Sequence, residues 1–236
     1  MARENPATDT PRKRPYVWPS WVSKVLGGDT KCTYQAWFKA HYVYRKTAND
    51  SCDNCANSKV PCLDPDTCRA DFFAQYTKAH DAMVVERAER LQEDGWTVRT
   101  EDEAAFRLQG QLGDLSGKPD IVAMRGDEVV VYDAKSGNPR DSDHWQVLLY
   151  ILALPLTWLK GFKTLHGKVE YRHGTVPVRS LGDKERERIL AVLREAMGPT
   201  PPAPKPSIRD CRYCDIASCD ARAQDGPRNG DAGGMF

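Results

Sequence analysis

A long hydrophobic run is missing from this chain. The longest nearly continuous apolar stretch, Val147 to Leu159, has 13 residues and contains Pro155, too few for a bilayer that needs ~20 helical residues. The opening residues, MARENPATDTPRKRP, hold no apolar signal segment, so a cytoplasmic chain without membrane contact is expected. An excess of one charge is missing too. The 34 Lys+Arg face 33 Asp+Glu, a net charge of +1, which neither requires nor excludes nucleic acid, because a basic patch hides easily in a neutral total. No internal repeat recurs, which argues against a solenoid. What is present suits a folded protein: 40% apolar and 28% charged residues over 236 positions. That is one large domain, or one domain with a small satellite.

Eight cysteines stand out in a chain expected to be reduced, where disulfides are rare. Cys52, Cys55, Cys62 and Cys68 crowd SCDNCANSKVPCLDPDTC, Cys211, Cys214 and Cys219 crowd DCRYCDIASCDAR, and Cys32 stands alone. Two CxxC pairs set thiolates at a spacing that reaches one metal, so metal or iron–sulfur ligation is the working reading.

The organisation follows from composition and periodicity. Residues 1–17 read as a flexible arm, whose Arg12, Lys13 and Arg14 suit a solvated tail or phosphate contact. Residues 18–45 form a helical, aromatic arm, and 46–70 a cysteine-rich insert that orders around a metal. The core spans 71–197. It begins with an amphipathic helix over 71–94, on which Phe72, Tyr76, Ala79, Met83 and Leu91 recur at helical spacing. Strands are expected at Trp96–Thr100, Ala105–Leu112, Lys118–Met124 and Glu128–Asp133, with Gly126-Asp127 as a turn. A helix over 141–155, a hairpin turning at His173-Gly174 and a helix over Asp183–Met197 complete it. The run PTPPAPKP lies in an extended linker over 198–210, which delivers the cysteines of 211–222 ahead of a disordered tail, 223–236.

The chemistry concentrates in GKPDIVAMRGDEVVVYDAKSG. Asp133 and Lys135 lie two apart on a strand and so share a face, and Asp120 in the preceding arm brings a second carboxylate alongside. Paired carboxylates are hard oxygen ligands for Mg²⁺ or Mn²⁺, and an adjacent lysine can orient a water whose pKa the metal lowers. Taken alone, the pattern also fits a charged surface strand. Downstream, HWQVLLY puts Gln146 and Tyr150 at i and i+4 on one helix face.

Together, Gly117-Lys118-Pro119-Asp120, the apolar strand into Asp-x-Lys-Ser-Gly and the Gln-x-x-x-Tyr helix resemble the PD-(D/E)XK nuclease superfamily, in its RecB-like branch. The likeness implies an α/β fold, a restriction-endonuclease-like core with a central mixed sheet flanked by helices. It implies that His80, in QYTKAHDAMVVERAERL, joins Asp120, Asp133 and the carbonyl of Ala134 around one or two Mn²⁺ or Mg²⁺ ions. Lys135 is then the residue that positions water, with Gln146 and Tyr150 orienting it. Cys32 before the core and Cys211, Cys214 and Cys219 after it match CRISPR-associated RecB-like exonucleases and AddB-type nuclease domains, where four thiolates hold a 4Fe–4S cluster as a clasp. The insert cysteines Cys52, Cys55, Cys62 and Cys68 lie outside that pattern. Their C-x₂-C-x₆-C-x₅-C spacing fits a tetrathiolate Zn²⁺ site, or a cluster of their own with zinc at the outer four.

The resemblance implies a metal-dependent deoxyribonuclease, an exonuclease on single-stranded DNA ends. It is compatible with protein partners in CRISPR adaptation, phage recombination or repair. Trp18, Trp21, Trp37, Phe38 and Tyr42 offer base-stacking faces, or core, and Lys39, Arg45 and Lys46 offer phosphate contacts. A DNA-binding or assembly subunit without activity is the alternative, against which the intact Asp120, Asp133 and Lys135 set argues.

Overall fold

Proline opens the first helix, where its missing amide would have no partner in any case. The computed structural model describes residues 8–45, 65–162 and 164–223, with the main chain alone over 65–76. Short strands β1 (Thr10–Pro11) and β2 (Tyr16–Val17) lead to helices α1 (Pro19–Leu26) and α2 (Tyr34–His41), then β3 (Tyr42–Val43). A long helix α3 (Pro65–Glu93) precedes β4 (Thr97–Thr100), the single turn α4 (Glu101–Ala104), β5 (Phe106–Gln109), β6 (Asp114–Gly117), β7 (Ile121–Arg125) and β8 (Glu128–Lys135). Helix α5 (Asp141–Ala153), strands β9 (Thr164–Tyr171) and β10 (Gly174–Val178), and helices α6 (Asp183–Met197) and α7 (Ile208–Arg212) complete the order.

The central sheet runs β10-β9-β8-β7-β4 and is mixed: β8 and β9 are parallel, joined across α5, and the other pairs are antiparallel. The turn between β7 and β8 uses Gly126 at a φ of +59°, a left-handed conformation that glycine adopts without strain. A second sheet, β2-β6-β5, and the pair β1-β3 lie beside it.

Strand β8, EVVVYDAK, is buried on both faces, as its apolar run requires. Val129 and Val131 face one core with Leu148 and Leu149 of α5, Val22 and Leu26 of α1, and Ile189 of α6. Val130, Tyr132 and Ala134 face another, covered by Val84, Ala88 and Leu91 of α3. Helices α1 and α5 meet closely at Gly27, where a Cβ would fall 2.4 Å from the Ser142 amide nitrogen. Among the described residues no helix is long and apolar enough to cross a membrane.

Several sequence expectations are corrected. The arm over 1–17 is described from residue 8, and from there it carries two short paired strands. β1 pairs with β3 and β2 with β6, Val17 is fully buried, and Arg14 reaches the buried Asp114. Those contacts replace the solvated-tail reading of Arg14. The segment 18–45 is no separate arm, since Val22, Leu26, Ala36 and Ala40 belong to the main core. Helix α3 starts at Pro65, inside the expected insert, rather than at 71. The strand expected over Lys118–Met124 begins at Ile121, and Asp114–Gly117 is a strand instead, because it pairs on both edges with β2 and β5. The expected disordered tail lies outside the described residues from 224 onward.

Candidate active site

Alternation along β8 sets Asp133 and Lys135 on the face toward α5, and the β7–β8 register, with Ile121 opposite Tyr132, brings Asp120 across from Asp133. Lys135 Nζ lies 2.5 Å from Asp133 Oδ2, and Gln146 Nε2 donates to Asp133 Oδ1 at 2.9 Å. Asp133 is 1% exposed. Burial pushes its carboxyl pKa up, against the pull of the Lys135 ammonium. Burial likewise works against the Lys135 charge, but Asp133 outweighs it and holds that pKa above the ordinary lysine range. The Lys135 ammonium is the partner of the buried Asp133 Oδ2, a charge-assisted contact, while Gln146 serves Oδ1.

Asp120 links three elements. Its Oδ2 accepts from the Ala134 amide at 2.6 Å and lies 3.3 Å from His80 Nε2 on α3. The other ring nitrogen, Nδ1, is 3.4 Å from Asp81. The hydrogen bond to Asp120, opposed by burial, pushes the His80 pKa up to about 9. Gln146 also donates to the Tyr150 hydroxyl at 2.9 Å, and that hydroxyl donates to the Lys118 carbonyl at 3.4 Å. Burial and the nearby Asp133 raise the Tyr150 pKa well above the ordinary value. Asp120, Asp133, Lys135, His80, Gln146, Tyr150 and the Ala134 main chain therefore share one connected network.

Glu101 escaped the sequence reading. His80, Asp81 and Glu101 each offer a ligand atom within 4.8 Å of the others. Glu101 has a φ of +42°, and its amide donates to the Asp120 carbonyl at 3.2 Å. Nothing in the run Glu101-Asp102-Glu103 marks the first residue over the other two. The imidazole of His80 and the carboxylates of Asp81 and Glu101, with Asp120 beside His80, form a donor set that fits Mn²⁺ or Mg²⁺.

On the flank, Cys32, Cys211 and Cys214 are buried and Cys219 partly so, all four as free thiols. The two chain ends that carry them pack together. Lys31 N donates to Asp210 Oδ2 at 3.0 Å, Ala217 N to the Arg45 carbonyl at 3.0 Å, and Tyr44 to Asp215 at 2.8 Å. Burial pushes the Cys214 thiol pKa up. Arg222 braces the trio by donating to the carbonyls of Cys211, Cys214 and Ile216. The insert cysteines Cys52, Cys55 and Cys62 lie outside the described residues, as does the side chain of Cys68. Of the stacking candidates, Trp37 and Phe38 are core, packed with Cys214 and Ile216, while Trp18 is 37% exposed. Arg45 is exposed, and Lys46 lies outside the described residues.

The family model for the PD-(D/E)XK nuclease superfamily matches residues 36–219. No curated protein matches the chain. Among solved structures, the crystal structure of SSO0001 is similar at 12% identity and a TM-score of 0.48, covering 86% of this chain and 84% of that one.

Proposed function

The chain belongs to the PD-(D/E)XK nuclease superfamily, and from that premise we propose that it is a metal-dependent deoxyribonuclease acting as an exonuclease on single-stranded ends. One observation carries the reading: the fold sets the buried Asp133 against Lys135 and seats Asp120 on the Ala134 amide of the same strand. Asp120, Asp133, His80 and the Ala134 carbonyl hold Mn²⁺ or Mg²⁺. When bound, the ion neutralises charge on the scissile phosphate and acidifies water. Lys135 holds the attacking water in line with the phosphorus. Gln146 fixes the Asp133 carboxylate through one amide hydrogen bond and braces against Tyr150, which limits the motion of the pair.

Cys32, Cys211, Cys214 and Cys219 hold a 4Fe–4S cluster in a structural role. Four free thiols on two packed chain ends support it. Cys52, Cys55, Cys62 and Cys68 form a zinc site by their spacing. Adaptation, phage recombination or repair complexes are the settings in which such an activity finds protein partners.

Digestion of end-labelled single- and double-stranded DNA with Mn²⁺ tests the function. Progressive shortening from the ends of the single strand supports it, and intact DNA in every metal tried refutes it.

A further inference from the structure

Two cavities meet between α1, α2, the start of α5 and α7. The larger, of about 800 Å³, is lined in part by Trp21, Lys24, Lys39, Arg140, Arg209 and Tyr213. The smaller, of about 260 Å³, has Lys135 and Gln146 among its walls. Lys24, Asp29 and Arg140 line both. The larger cavity therefore adjoins the Lys135 side of the candidate active site.

Its charges are unevenly committed. Asp29 accepts from Ser142 at 2.8 Å and pairs with Arg140 at 3.8 Å, and Asp210 accepts from the Lys31 amide at 3.0 Å, so both carboxylates are engaged within the protein. Lys39 holds Asp215 at 2.6 Å. The Lys24 and Arg209 side chains have neither an ion pair nor a hydrogen bond among the described residues. Burial and then the neighbouring Lys39 push the Lys24 pKa down, against the pull of Asp215 and Asp29. Tyr213 is 67% exposed beside these cations, and Trp21 supplies a second ring.

Uncommitted cations beside the exposed Tyr213 ring suit a ligand that alternates phosphates with flat bases. A duplex covers its base faces with their neighbours, so only an unpaired strand uses the ring. Resting on the nuclease reading above, we propose that this cavity is a subsite for the unpaired DNA strand next to the scissile phosphate. Lys24 and Arg209 take its phosphates, and the exposed Tyr213 takes a base, with Arg140 and Trp21 forming the wall between them. Of the aromatic and basic residues that the sequence singled out, Trp21 and Lys39 line this cavity, whereas Lys24, Arg140, Arg209 and Tyr213 enter only through the fold.

The test uses the full chain and two variants on opposite walls: Lys24→Ala on α1, and Arg209→Glu with Tyr213→Ala at α7. Arg209 and Tyr213 are exposed, so their replacement leaves the core alone. Binding of a labelled single-stranded oligonucleotide and of its duplex is measured in Ca²⁺. Hydrolysis of bis(p-nitrophenyl) phosphate, too small to span both cavities, is measured in Mn²⁺. The double variant should bind the single strand about tenfold more weakly, the scale of one lost base stack. Its slope of log K against log[salt] should fall by about 0.7 for each phosphate contact removed. Lys24→Ala should show the salt effect without the loss of stacking. Duplex binding and phosphodiester hydrolysis by the double variant should stay at the parent level. Single-strand affinity within twofold of the parent in both variants, or an equal loss for duplex, overturns the subsite. A parent that hydrolyses neither DNA nor the small diester refutes the nuclease reading instead, while the binding series still decides the cavity.

Discussion

Lys135 Nζ sits 2.5 Å from Asp133 Oδ2, with the carboxylate side chain 2% exposed and the lysine 26%. The pair is thus asymmetric: the acid is sealed beneath the sheet surface while the ammonium reaches the cavity wall. A lone surface ion pair would contribute little. Here Asp133 holds Lys135 charged against burial, while burial still raises the pKa of the acid, and Gln146 ties the acid to Tyr150.

That asymmetry sets the first prediction. Asp133→Asn removes a metal ligand while keeping shape, and should lower Mn²⁺-dependent cleavage on the order of 10³-fold, the rate equivalent of several kcal/mol of lost charge stabilisation. Lys135→Ala should lose a similar factor while Mn²⁺ affinity, read by calorimetry, changes much less. Asp133→Asn cleaving at the parent rate would refute the assignment.

A second prediction concerns Asp114, fully buried on β6 and held by Arg14 Nε at 2.7 Å and Arg107 Nε at 2.8 Å. Burial opposes its charge, but the two guanidiniums outweigh that and hold the carboxyl below its ordinary pKa. A depressed folded-state pKa contributes stability that is present above the ordinary carboxylate range, and is lost as pH falls through the lower, folded value. Asp114→Asn should therefore cost about 1–3 kcal/mol at pH 7, kept modest by the exposure of both arginines. The gap between the two urea midpoints should close as pH drops below about 4. A gap that does not change with pH would show that the arginine contacts contribute nothing.

What the sequence made legible and what it hid divide along the range of the interactions. Asp133 and Lys135 were readable because a two-residue period fixes a shared face, and Gln146 and Tyr150 because four residues make a helical turn. Asp120 was readable through a hairpin signal at Gly126. Asp114 was not: its flanking Gly110, Gly113 and Gly117 suggest a loop, and its partner Arg14 lies 100 positions away. The N-terminal strands share that reason, since two-residue strands such as Tyr16–Val17 carry no period of their own. Glu101 was hidden among equivalent acids, and only the fold turns it toward His80.

Glu101 supplies the third prediction. Its φ of +42° is a conformation that glycine adopts freely and other residues adopt at a cost. Glu101→Gly should thus raise the stability of metal-free protein by roughly 1 kcal/mol, while weakening Mn²⁺ binding about tenfold if the side chain is a ligand. His80 gives the pH dependence. Its folded-state pKa of about 9 exceeds the ordinary value, so its contribution to metal-free stability is complete below about 6.5 and lost as pH rises through 9. An imidazole must shed its proton to bind metal, so Mn²⁺ affinity should climb over the same window and flatten in His80→Gln. Thermal melts in EDTA and Mn²⁺ titrations from pH 6 to 10 check both. Unchanged Mn²⁺ affinity in Glu101→Gly would remove Glu101 from the metal site.

The last prediction concerns the joined chain ends. Lys31 and Asp210 meet across 179 positions. Around that seam Trp37 donates its indole hydrogen bond to Gly198, and Phe38, Tyr44, Cys214 and Ile216 form a buried cluster. A cofactor held by Cys32 and the trio Cys211, Cys214 and Cys219 would close nearly the whole chain into a loop, and closing long loops removes the most entropy from the unfolded state. The metal-binding free energy then becomes folding free energy for both ends. The central sheet has its own cores against α3 and α5 and depends less on the seam. Cys214→Ser should therefore yield colourless protein with a markedly lower melting temperature. Limited proteolysis should cut within 198–207, where proline-rich chain without regular structure leads into α7. The 71–197 core should resist, and hydrolysis of a small phosphodiester should persist. Elemental analysis should find about four irons and about one zinc in the parent. Cys214→Ser should lose the iron alone, and Cys52→Ser with Cys55→Ser the zinc alone. Loss of zinc from Cys214→Ser with iron retained would exchange the two metal assignments. Iron and melting temperature both unchanged in Cys214→Ser would show that packing between the chain ends, without a cluster, holds them together.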